Sequence, residues 1–83
     1  MNDYTRKVSA LRAMANRTFG TSNVYDAGFD GRDVSVTIVG EVTLTKVETF
    51  MKLLDPASVT IEPGGQDAAI IGFHACRLLP WEL

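Results

Sequence analysis

The only histidine and the only cysteine of this 83-residue chain stand two residues apart, as His74 and Cys76, within "AAIIGFHACRLLPWEL" at its C-terminal end. An imidazole beside a thiol is the minimum for an activated cysteine nucleophile. On an extended strand their Cα atoms would lie about 6.8 Å apart, with both side chains on one face, so a thiolate–imidazolium pair is geometrically open. The supporting groups are missing. Such a nucleophile needs an accessible, electropositive setting, an orienting group and an oxyanion site. The neighbours here are isoleucine, phenylalanine and alanine, with Arg77 directed to the opposite face. One Cys and one His also supply only two soft ligands where a structural zinc site uses four. The segment therefore reads as a core strand, and no catalytic residue, metal ligand or cofactor is expected.

Two further stretches carry chemistry-bearing residues. "DAGFDGRD" gathers Asp26, Asp30 and Asp33, but without the spaced oxygen ligands and terminal glutamate of a calcium loop, and Asp30 better serves a hairpin turn. "PGGQD", residues 63–67, has no following Lys-Ser/Thr and opens no helix, so it forms neither a P-loop nor a dinucleotide fingerprint.

The elements that must position these residues follow from periodicity. Asn2 or Asp3 caps a helix over about 3–19, along which Tyr4, Val8, Leu11, Ala15 and Phe19 recur on one narrow arc with Met14 beside them, and Gly20 ends it. The period then becomes two. Tyr25, Ala27 and Phe29 alternate before Asp30–Gly31, and Val34, Val36 and Ile38 after it, predicting a hairpin over about 23–42 with those six residues facing the core. A two-residue loop would set Phe29 opposite Arg32. A four-residue "DGRD" loop shifts the register and keeps the same buried face. Leu44, Val47, Phe50, Met51 and Leu54 return to helical spacing over about 44–55, with Thr43 or Thr45 as the cap and Pro56 barring continuation. A second hairpin spans about 57–78. In its last strand Ile70, Gly72, His74, Cys76 and Leu78 point one way, and Ile71, Phe73, Ala75 and Arg77 the other. With both faces apolar, that strand belongs at the centre of a sheet or under another subunit. An apolar tail, 79–83, follows. The expected fold is α+β, one small domain of order α-β-β-α-β-β, with a four-stranded, mostly antiparallel sheet and both helices on one face.

Composition narrows the function classes. Eighty-three residues suffice for one domain. A single cysteine excludes an internal disulfide and suits a reducing compartment. The N-terminal residues lack a signal-peptide apolar region, and no run reaches the ~20 apolar residues of a membrane span, so a cytoplasmic protein without membrane contact is expected. "NRT" at 16–18 matches a glycosylation sequon that has no role inside a cytosolic helix. The net charge of −2 hides an asymmetry: residues 1–19 carry four cations against one carboxylate, and the remainder four against nine. Only Arg6 and Arg17 align on the first helix, flanking Ala10 and Ala13, while Lys7 and Arg12 fall elsewhere. Above an acidic body this pattern argues against direct nucleic-acid binding. The outer sheet face, with Ser35, Thr37, Glu41, Ser58, Thr60 and Glu62, lacks the aromatic platforms of RNA-reading sheets.

These readings point to a stand-alone, non-catalytic protein-binding module that covers a surface of a larger protein, one that handles nucleic acid. In size, charge and absence of a catalytic constellation the chain resembles the small inhibitors that phages and mobile elements carry, anti-CRISPR proteins among them. The expected contact residues are Arg6, Arg12 and Arg17 on the first helix and Trp81 and Leu83 in the tail, since arginine gives directional and tryptophan desolvated contacts. The alternatives are a homo-oligomer (a homodimer in the simplest case) assembled through the last strand and tail, and a weak nucleic-acid binder through the basic helix.

Overall fold

A computed structural model describes residues 2–82, and Leu83 lies outside the described residues. The elements are α1 (Asp3–Phe19), β1 (Val24–Asp30), β2 (Asp33–Val39), α2 (Leu44–Leu54), β3 (Ser58–Pro63), β4 (Ala68–His74) and a 3-10 turn, Pro80–Glu82. This is the expected α+β order. Each helix is closed by its own side chains and backbone. Asn2 accepts the Thr5 N–H at 2.7 Å to start α1, and Gly20, at φ 99°, donates to the Asn16 carbonyl to end it. Thr43, not Thr45, caps α2 by accepting the Lys46 N–H. Asp55 ends α2 in the left-handed region, with Pro56 following.

The strands form one antiparallel sheet in the order β1-β2-β4-β3. The first hairpin takes the register of the longer loop: Phe29 faces Val34, Asp30 faces Asp33, and Gly31 turns at φ 61°. In β1, Val24 pairs with Ile38 and Asp26 with Thr37, so Tyr25 is an extra, unpaired residue. This bulge breaks the alternation. It corrects the expected inner face: Val24 is buried and Tyr25 is 72% exposed. Hairpin regularity also stops before Glu41, which lies beyond the end of β2.

A second correction concerns the last strand. β4 ends at His74 rather than continuing to Leu78, because Ala75 adopts φ 52° and reverses the alternation. Cys76 therefore turns into the core, away from the face that carries His74. As expected, β4 is central. Both of its edges are already paired, with β2 and with β3. Among the described residues only β1 and β3 leave an edge free for further strand pairing.

Both helices lie on one face of the sheet and share one core with it. Leu11, Met14, Ala15 and Phe19 of α1 meet Val47, Phe50 and Leu54 of α2 over Val34, Val36, Ile38, Ile71 and Phe73. Phe50 links the layers, with ring centroids 5.3 Å from Phe19 and 5.0 Å from Phe73. Among the described residues no helix is long and apolar enough to cross a membrane. Phe50 is wholly buried, so Phe50→Ala removes contacts to both layers at once. It is expected to cost about 3–5 kcal/mol in urea denaturation, a large share of the roughly 5–15 kcal/mol that holds a domain folded.

Candidate functional site

The expected contact residues occupy separate settings. Trp81 lies against Phe29, centroids 4.6 Å apart, Tyr4 stacks on the same phenylalanine at 5.1 Å, and Lys7 Nζ stands 5.5 Å over the indole. The tail is thus folded back on the core and covers it. Arg6 binds Asp3 at 2.6 Å. Arg12 donates to the Tyr25 carbonyl at 3.2 Å, which the bulge presents, and its guanidinium lies 4.0 Å from Asp26. Arg17 lies on the rim of a groove between the helices.

One residue the sequence reading passed over holds the tail. Arg32 donates through Nε to the Cys76 carbonyl at 2.6 Å and through Nη2 to the Arg77 carbonyl at 2.8 Å. Its Nη1 and Nη2 also grip the Glu82 carboxylate at 2.8 and 2.9 Å. The two-point contact with arginine holds the Glu82 carboxyl below its ordinary pKa.

His74 and Cys76 are separated by the turn at Ala75. The Cys76 thiol donates to the Phe73 carbonyl at 3.3 Å, and burial pushes its pKa up, with Asp33 adding to the effect. That is the opposite of what a nucleophile needs. His74 joins a different group. Its Nε2 is 2.9 Å from Thr60 Oγ1, and its Nδ1 is 3.9 Å from Asp33 Oδ1. The order carboxylate, imidazole, hydroxyl resembles a proton relay, but 3.9 Å is too long for Asp33 to orient the ring. The same Asp33 oxygen already accepts the Ala75 N–H at 2.9 Å. Among the described residues no three His, Cys, Asp or Glu side chains gather to hold a metal.

This group lines a trough across the outer face of the sheet, about 400 Å³ in volume. Its floor follows from the register. Gly28 pairs with Ser35, Ser35 with Gly72, and Gly72 with Thr60, a row of small residues spanning all four strands. One wall is Ile70 and its cross-strand partner Glu62, from the next row. The other wall begins with the paired Asp30 and Asp33 and continues to His74. A Cβ on Gly72 would lie 2.7 Å from Thr60 Oγ1 and 2.8 Å from His74 Nε2, so this glycine lets the Thr60–His74 pair close. A Cβ on Gly28 would meet nothing within 4 Å, which leaves that part of the floor open.

Carboxylates thus stand on both walls, and among the described residues His74 is the only basic side chain lining the trough. The arrangement can hold a cationic or hydrogen-bond-donating group between two acidic rims. The sequence reading had Thr37, Ser58, Thr60 and Glu62 on this face, and Gly72 and His74 together on one face of the last strand. It did not join these to Asp30, assigned to the hairpin turn, or to Asp33, placed at the start of the second strand. Comparison with protein families, with curated proteins and with solved structures finds no match for the chain.

Arg32→Ala is expected to free the tail, seen as a red shift of the single tryptophan's fluorescence. Acid should do the same in the wild-type protein. The Glu82 pKa is lowered in the folded state, so its contribution is fully present above the ordinary glutamate value of about 4.3. It is lost as pH falls through the lower folded value, and the emission shift should follow that course. Cys76 should react with a disulfide reagent only at the rate of unfolding, rising to a free-thiol rate in denaturant.

Proposed function

We propose that the chain is a non-catalytic protein-binding module that lays its acidic sheet face on a cationic surface of a larger protein. The observation that carries this reading is the separation of charge between the two layers. In α1 four cations face one carboxylate and in α2 two face one, whereas the outer sheet rows hold Asp26, Asp30, Asp33 and Glu62 with only His74 as a basic group. Asp30 and Asp33 also stand directly opposite each other across the hairpin. Like charges in that position cost stability. Asp33 has structural work at Ala75, but Asp30 has no ion pair within 4.0 Å among the described residues. A local cost without a local gain is the pattern of a residue kept for contact with something else.

Surfaces that bind phosphate backbones are rich in lysine and arginine. A small acidic face therefore suits the occlusion of such a surface on a nucleic-acid-handling protein. Inhibitors of the kind phages and mobile elements carry, anti-CRISPR proteins among them, are the class this reading implies. Direct binding of nucleic acid is less well supported: Arg6 and Lys7 are both paired with Asp3, and Arg12 is engaged at the bulge.

A hexa-arginine peptide is the simplest probe of the trough. Titration into labelled protein at low salt should move the amides of Gly28, Ser35, Thr60 and Gly72. The double reversal Asp30→Lys/Glu62→Lys should weaken binding by roughly tenfold or more. Gly28→Leu fills the floor without changing charge and should weaken it too. Equal binding by the wild type and both variants, or amide shifts confined to other faces, would refute the reading.

A further inference from the structure

The geometry points to a second docking site on the opposite layer, fitted to an amphipathic helix of a partner protein that carries carboxylates beside an apolar anchor. A groove of about 480 Å³ runs between α1, α2 and the 3-10 turn, lined by Ala10, Ala13, Met14 and Arg17 of α1, Leu53 of α2 and Pro80. Apart from Arg17 and Thr18 its lining is apolar, and it is incompletely covered. Leu53, which lines it, is 44% exposed. Leu53 stands outside the core cluster, to which its neighbour Leu54 belongs.

The shape selects a helix. Ala10 and Ala13 project little from α1, so a second helix can approach its backbone closely and direct a leucine or phenylalanine toward Met14 and Leu53. Charge selects the polar edge of that helix. Arg6 and Arg17 bracket the two alanines on the same face of α1, about 16 Å apart along its axis. Arg17 has no carboxylate within 4.0 Å among the described residues, and it stands on the groove's rim. A cation beside an apolar slot calls for an anion beside an apolar side chain. The site is independent of the acidic trough and would take a ligand of opposite charge.

The test uses a synthetic amphipathic peptide with leucines along one face and glutamates along the flanks, and a control with lysine in place of each glutamate. Amide shifts on titration with the glutamate peptide should map to Ala10, Ala13, Arg17 and Leu53. Ala13→Glu should weaken binding by about tenfold or more, with Arg17→Glu acting in the same direction. Ala13 is exposed on the helix, and far-UV circular dichroism will show that both variants keep the fold. Equal binding of the two peptides, an unchanged affinity in Ala13→Glu, or shifts on the sheet face would overturn the proposal. A dimer in light scattering that Ala13→Glu dissociates would also overturn it, by showing that a second copy fills the groove.

Discussion

The chain leaves β4 through Ala75, and much of the molecule depends on how that one residue is held. Alanine at φ 52° is uncommon, because its Cβ crowds the backbone in the left-handed region. The first hairpin supplies the restraint. Asp33 accepts the Ala75 N–H, the Arg32 carbonyl accepts the Cys76 N–H, and the Arg32 guanidinium takes the carbonyls of Cys76 and Arg77. A turn about forty residues earlier in the chain thus fixes where the last strand stops. Because the alternation breaks there, His74 stays on the outer face, Cys76 enters the core, and the tail crosses over Phe29 to meet Glu82's partner, Arg32.

The same constraint explains why the two most reactive side chains do not work together. Had β4 run on as a strand, imidazole and thiol would have shared a face. The turn instead gives the thiol to a dry environment, which disfavours the thiolate, and gives the imidazole to Thr60 and the neighbouring acids. The outer face gains a basic group among carboxylates, and the core gains a small apolar one. A buried cysteine is here a packing residue.

Most of the architecture was legible because it rests on local signals. The arc from Tyr4 to Phe19, the Asp30–Gly31 turn, the α2 spacing and Pro56 each act within a few residues, and the elements formed where those signals lie. Three features were not legible, and each depends on partners distant in sequence. The bulge at Tyr25 requires knowing that Val24 pairs with Ile38 and Asp26 with Thr37. The end of β4 requires Asp33 and Arg32. The trough requires the register of three strand pairs at once, since Gly28 and Gly72 become one floor only when Ser35 lies between them. Arg32 is the clearest example. In sequence it is one charged residue in a turn, and in the fold it makes four hydrogen bonds to the C-terminal segment.

A two-layer domain of this size leaves one sheet face in water, and that face must remain soluble without a third layer to cover it. Scattered lysines, serines and threonines would meet that need, and mixed charges would hold the sheet together better. The chain instead concentrates carboxylates around a floor of small residues, sets Asp30 against Asp33, and keeps its cations mostly on the helices. Repulsion between Asp30 and Asp33 is screened only partly by salt, because directly opposed cross-strand partners lie closer than a Debye length of about 8 Å at physiological ionic strength. Solubility alone does not require that cost. A cationic partner of the kind proposed above would remove it, so that free energy withheld from folding would become available to binding.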